Sequence, residues 1–77
     1  MKMEDVKGAL GKRVHYSSKK MFIDADYIFM AYILRVSDRG KIFHQAELKD
    51  LCENSIIIVS LEEVEIIETP QDQKQIS

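Results

Sequence analysis

Two histidines and one cysteine are the residues best suited to hold a metal ion: His15, His44 and Cys52. Imidazole nitrogen and thiolate sulfur are the ligands that zinc prefers. The three residues stand apart, and no CxxC or HxxxH spacing places two of them on one loop or helix turn. The sequence therefore predicts a structural histidine and an ordinary buried thiol, and no metal site.

Asp24 and Asp26 form an Asp-x-Asp pair of the kind that opens a calcium-binding loop. The pattern ends there, because Ile28 stands where a third oxygen ligand belongs and no glycine follows. We expect these carboxylates to be surface charges.

The sequence offers little for catalysis. Ser17 and Ser18 lack the glycine context of a nucleophile elbow, and three glycines in the whole chain cannot form a phosphate-binding loop. A domain of this size also has little room for a deep cleft. We therefore predict a protein that is not an enzyme and takes no cofactor.

A basic segment near the amino terminus is the candidate for binding nucleic acid. Lysines meet phosphates and aromatic rings stack on bases. The competing interpretation is a solvated loop beside an acidic strand, and the acidic pI of about 5.6 favours it. The residues of this candidate site are Lys12, Arg13, Tyr16, Lys19 and Lys20, with Phe22 interleaved.

Charge is unevenly spread along a chain whose formal net charge is only -2. Residues 1–20 carry a net +4 and residues 61–77 a net -4. Such polarity indicates either two external partners of opposite sign or two chain ends that lie side by side.

Seventy-seven residues make one small domain. A single cysteine excludes an intrachain disulfide, and the amino terminus lacks the pattern of a signal peptide, so we expect a cytoplasmic protein. The longest apolar segment, residues 27–36, is too short to cross a bilayer, and no membrane partner is expected.

That apolar segment is predicted to be the central strand. Its even positions from Ile28 to Val36 form an unbroken apolar row, and β-branched and aromatic residues favour a strand over a helix. Ser37-Asp38-Arg39-Gly40 then predicts a hairpin turn, with the glycine at positive φ. The return arm is predicted as a strand over 41–48, although residues 45–53 have the composition of a helix.

The remaining elements are short, and each follows from local composition. We predict a helix over 3–10, a strand over 11–16, a polar loop at 17–20, a turn at 24–26, a strand at 56–59, a capping box at Ser60–Glu63 with one helical turn, a last strand at 65–68 and a disordered tail at 69–77.

This order resembles the general plan of a small SH3-like β-barrel of four to five strands, mainly β, with a short N-terminal helix and one helical turn before the last strand. The resemblance covers roughly residues 10–68, so the domain prediction is 1–10 helix, 11–68 barrel and 69–77 tail. It implies that the first and last strands lie together. Lys12 and Arg13 would then face Glu65 and Glu68.

Protein association is the function that the sequence favours. An apolar central strand can leave one face for a second copy of the chain, and open sheet edges can accept a partner strand. We therefore predict a noncatalytic accessory module with a protein partner, as a homodimer or as a closed monomer. Nucleic-acid binding through the basic segment is the alternative.

Overall fold

The computed structural model describes residues 1–67, so the predicted tail lies outside the described residues. One helix precedes five strands, and a 3-10 turn joins the last two. The elements are α1 (Met3–Ala9), β1 (Arg13–Ser18), β2 (Ile23–Val36), β3 (Ile42–Asp50), β4 (Ile56–Ser60), the 3-10 turn (Leu61–Glu63) and β5 (Val64–Ile66).

All five strands belong to one antiparallel sheet, in the order β4-β3-β2-β1-β5. The prediction of a mainly β fold with a short N-terminal helix is confirmed, and so is the placement of the last strand beside the first. The sheet is not closed, because within residues 1–67 β4 and β5 form its two edges. The predicted barrel is therefore not confirmed.

The central strand is longer than predicted, because β2 begins at Ile23. The predicted turn at 24–26 is wrong: these residues pair with β1, with Asp26 opposite His15 and Asp24 opposite Ser17. For the same reason Ser17 and Ser18 are strand and not loop. Partners on the neighbouring strand hold the aspartates extended, although their own propensity disfavours a strand.

A β-bulge interrupts β2 between Phe29 and Ala31. Before the bulge Phe29 lies opposite Leu48, and after it Tyr32 lies opposite Ala46, so odd positions face the core first and even positions afterwards. The predicted single apolar row on the even positions is therefore wrong. Ile28 points to the outer face of the sheet, whereas Tyr32 points to the face that carries the core, which we call the core face.

The core lies on the core face at the middle of the sheet. Phe29, Leu48 and Val64 are fully buried there, and Val6 and Ala9 of α1 pack against them. Tyr16 meets Tyr27 edge to face, with 6.2 Å between the ring centroids. The core thus depends on contacts between all the main elements, as a chain of this size requires.

The observed turns agree in part with those predicted from the sequence. Gly40 closes the β2–β3 turn at φ 80°, as predicted. Strand β3 runs to Asp50, so the alternative helix over 45–53 is wrong: pairing with β2 and β4 on both sides outweighs helix propensity. The helical turn after Ser60 is present as a 3-10 turn, but the Ser60 side chain makes no cap hydrogen bond, so the capping box is wrong.

Two phenylalanines give a matched test of this core. Phe29→Ala should lower the free energy of unfolding by about 3–5 kcal/mol, because it leaves a cavity in the packed centre. Phe22→Ala should change it by no more than about 0.5 kcal/mol, since the Phe22 side chain is exposed. Urea denaturation followed by circular dichroism measures both, and equal losses for the two variants would contradict this placement of the core.

Candidate functional site

A charged cluster occupies the outer face of β1 and β2. His15 Nδ1 lies 2.7 Å from Asp26 Oδ1, and His15 Nε2 lies 2.5 Å from Asp24 Oδ1. Arg13 Nε donates to the other oxygen of Asp26 at 3.0 Å. Both ring nitrogens of the histidine therefore face carboxylates, which suits a protonated imidazolium that donates two hydrogen bonds.

These contacts change the acid–base behaviour of the cluster. The hydrogen bonds to Asp26 and then to Asp24 raise the pKa of His15 above its ordinary value of 6.5. The hydrogen bond from His15, supported by the one from Arg13, lowers the pKa of Asp26 below 3.8. The cluster is thus an ion-pair network across two strands, and its chemistry is charge compensation.

The three residues chemically suited to hold a metal ion, His15, His44 and Cys52, are not brought together. Within residues 1–67 no group of three or more histidine, cysteine, aspartate or glutamate side chains could hold a metal ion. His44 lies on the core face of β3, where its Nδ1 is 2.6 Å from the Tyr32 hydroxyl and the two rings stack. Cys52 is exposed in the β3–β4 turn, so the prediction of a buried thiol is wrong, because that turn projects from the sheet.

The basic segment does not form one surface. Tyr16 is buried in the core and has no face free to stack on a base. Lys12 lies before β1, whereas Lys19 and Lys20 follow it, so the length of the strand, on the order of 20 Å, separates them. In the sequence, the apolar residues Val14 and Tyr16 alternate with polar residues, and this pattern indicates that Tyr16 faces inward.

The expected pairing of the basic segment with the last strand is also wrong in its details. His15 and not Arg13 lies opposite Glu65, and the Arg13 side chain bonds to Asp26 on the other neighbouring strand. Glu68 lies outside the described residues. The register of β1 between two strands, which the sequence alone does not state, decides which charges meet.

The turn between β1 and β2, residues 19–22, displays two large apolar side chains. Phe22 is 94% exposed and Met21 is 61% exposed, directly after Lys19 and Lys20. Phe22 has φ 57°, in the left-handed region that a bulky residue rarely adopts. We call residues 19–22 the β1–β2 turn.

At the opposite end of the sheet, the hairpin of β2 and β3 extends past the core. The pairs Leu34–His44 and Val36–Ile42 continue the core face, yet Leu34, Val36 and Ile42 are 57%, 61% and 54% exposed. No element within residues 1–67 covers this part of the core face. These side chains form an uncovered apolar patch on the core face.

An open groove of about 490 Å³ runs beside this hairpin. The pairing of β3 with β4 ends at Gln45 and Ser60, so the edge of β3 over residues 42–44 has no neighbouring strand on that side within residues 1–67. The N-terminal amine of Met1 donates to the Leu61 carbonyl at 3.0 Å and closes the far wall. The residues that line this hairpin groove are Met1, Met3, Lys41, Ile42, Phe43, His44, Gln45, Ser60, Leu61 and Glu62.

Sequence reasoning did not find the hairpin groove. Its apolar members come from the amino terminus, β3 and the 3-10 turn, which are distant in the sequence. The one available signal was the length of the apolar strand relative to the short β4, since a long hairpin beside a five-residue strand must leave part of its edge open.

Comparison with known proteins adds no relative. No protein-family model matches the chain, no curated protein matches it, and no solved structure matches it. Among residues 1–67, no helix has the length and apolar character to cross a bilayer.

The charged cluster predicts how stability depends on pH. Because the pKa of His15 is raised on folding, its contribution to stability is complete below pH 6.5 and is lost as the pH rises through the folded-state pKa. Because the pKa of Asp26 is lowered, its contribution is present above pH 3.8 and is lost as the pH falls through the folded-state pKa. We expect the cluster to stabilise the fold most between these two values.

Thermal melts at pH 5.5 and pH 9 measure the loss of the His15 contribution to stability as the pH rises. The melting temperature should fall between these pH values in the native chain, and the fall should be smaller in His15→Asn, which cannot carry the charge. An NMR titration of the His15 ring proton tests the cause directly. A midpoint at or below 6.5 would contradict the two carboxylate contacts.

Proposed function

We propose that this chain is a small noncatalytic module that mediates protein–protein association, and that the hairpin groove receives an extended segment of its protein partner. The observation that carries the proposal is the open edge of β3 over residues 42–44, which lies beside exposed apolar side chains. An added strand would gain main-chain hydrogen bonds along that edge.

The lining of the hairpin groove supports an apolar segment of the partner. Met1 and Met3 bring flexible thioether side chains, which adapt to different partner surfaces. Ile42 contributes a half-exposed apolar side chain on the same side as Leu34.

We also propose the SH3-like plan for the domain, opened between β4 and β5. Its support is the strand order, in which β5 returns beside β1 while β2 and β3 form a long central hairpin. Opened in this way, the fold has two edges at which strands of a partner can add.

Photo-crosslinking at a single residue tests the proposed partner site. A photoreactive residue in place of Met3, inside the hairpin groove, should form a discrete covalent adduct with a protein in the native cell. Glu53, exposed in the β3–β4 turn on the order of 25 Å along β3 from the groove, provides the matched control position.

The adduct should depend on the apolar wall of the groove. Adding Ile42→Asp to the Met3 photoreactive variant should abolish it, because a carboxylate cannot enter an apolar contact without loss of hydration. Adducts of equal yield at Met3 and Glu53, or a Met3 adduct that Ile42→Asp leaves unchanged, would contradict the proposal.

Nucleic-acid binding is the second candidate, because the β1–β2 turn exposes Lys19, Lys20 and Phe22 together. Gel shifts with mixed DNA and RNA at about 50 and 200 mM salt should then show binding that weakens with salt, as expected when phosphate contacts release counterions. The double variant Lys19→Glu/Lys20→Glu should lose the shift. No shift of the native chain at low salt would remove this candidate.

A further inference from the structure

Strand β4 is one edge of the sheet, and four of its five residues, Ile56–Ser60, are β-branched. One side of β4 pairs with β3, and the other side has no neighbouring strand within residues 1–67. The open side therefore presents unpaired main-chain donors and acceptors over a length of about 17 Å.

This edge lacks the features by which proteins commonly block the addition of a strand, which are a charged side chain, a proline or a bulge. Residues 54–61 contain no charged residue and no proline, and β4 pairs with β3 without a break in register. On the outer face Ile56 and Ile58 are 49% and 48% exposed. A strand added to this edge would cover both side chains.

The opposite edge of the sheet, β5, is protected. It is three residues long, and its middle residue is Glu65. If two copies of the chain paired through β5 about this residue, the two glutamates would lie directly opposite each other, and like charges in that position are destabilising. Of the two edge strands, only β4 therefore accepts an identical strand.

We propose that β4 pairs antiparallel with β4 of a second copy of this chain, about a two-fold axis at Ile58, to form a closed dimer with one continuous sheet. A two-fold interface joins a surface to itself, and an antiparallel strand edge meets that condition. The register centred on Ile58 uses all five residues of the strand. It places Ile58 opposite its own copy, Ile57 opposite Val59 and Ile56 opposite Ser60.

The absence of charge on β4 identifies a second copy as the occupant, because none of the three kinds of pair brings two like charges together. The nearest outer-face charge, Glu47, lies opposite Ile58 on β3. In the dimer it would be three strand spacings, about 14 Å, from its own copy, which exceeds the screening length of about 8 Å at physiological salt. Glu53 and Glu62 flank the paired segment and lie outside it.

The size of the interface sets the strength of association. Two five-residue edges bury less than the roughly 1,200 Å² at which stable interfaces begin, so the dimer belongs to the weak class. The inference goes beyond the proposed function, because it uses the side of β4 that faces away from β3, whereas the hairpin groove lies beside residues 42–44 of β3.

Sedimentation velocity of the native chain from about 10 µM to 1 mM tests the association, since weak complexes form in this range. We expect the mass to rise from the 8.9 kDa of one chain towards twice that value and no further. A mass that stays at 8.9 kDa would overturn the inference, even if a strand of another protein adds to this edge. Larger species would overturn the closed dimer.

The same substitution on the two edges tests which strand pairs. Ile58→Lys places a lysine opposite its own copy in the dimer, whereas within one chain it faces Glu47, so the variant should fold and remain monomeric. Ile66→Lys is the matched control on β5, where the isoleucine is 44% exposed, and it should dimerise as the native chain does. Circular dichroism checks that both variants fold. Dimerisation of Ile58→Lys, or its loss in Ile66→Lys, would overturn the inference.

Disulfide trapping tests the register and does not depend on Ile58→Lys. In chains that carry Cys52→Ser, Ile58→Cys should form a disulfide-linked dimer in a glutathione redox buffer, because directly opposite residues of an antiparallel pair have the Cα separation that a disulfide needs. Ile56→Cys is the control, since the rotation displaces it from its own copy by four residues, on the order of 13 Å along the strand. Equal yields from the two variants, or none from Ile58→Cys, would overturn the inference.

The Met3 photo-crosslink separates this inference from the proposed function. Adding Ile58→Lys to the Met3 photoreactive variant should leave the adduct with the protein partner unchanged, because the groove does not include Ile58. An adduct without any dimer would overturn this inference and leave the proposed function standing. A dimer without any adduct at Met3 would remove the proposed function and support this inference.

Discussion

The length of β2 relative to the core is the constraint on which the rest of the structure depends. Fourteen residues of strand cross a molecule whose buried cluster occupies only the middle of the sheet. Since a chain of this size has few other elements with which to cover a sheet, the Val36 end of β2 extends beyond the core, whereas Ile23 at its start still packs against the core. The exposed hairpin is thus a consequence of the mismatch between strand length and available cover.

The bulge between Phe29 and Ala31 makes this long strand compatible with one core. Without it, the alternation would carry Ile28 and Leu34 to the same face; with it, Phe29 and Tyr32 both reach the core face. An apolar strand on both faces therefore does not mean burial on both faces. In β2 the apolar residues on both faces reflect the bulge, which changes the face to which alternate side chains point. The apolar residues after the bulge form the open side of the hairpin.

The sequence predicted those elements whose signals are local. The glycine turn at Gly40, the β-branched strand from Ile56 and the short N-terminal helix all follow from residue type and spacing. It misplaced Asp24 and Asp26 because their extended conformation depends on His15 and Arg13 of another strand, a pairing that no local pattern records. The hairpin groove was missed for the same reason, because its walls come from three separated segments.

Within the described residues, oppositely charged side chains pair with each other only in part. The opposite charges of the two chain ends suggested that they cancel each other, yet Arg13 and His15 bond to aspartates of β2 instead. This arrangement follows from the register of β1 and β2 and uses two of the cationic side chains near the amino terminus. Within residues 1–67, Lys19, Lys20 and Glu62 form no ion pair. These three side chains are exposed, so water and counterions screen their charges, and the fold does not require them to be paired within the chain.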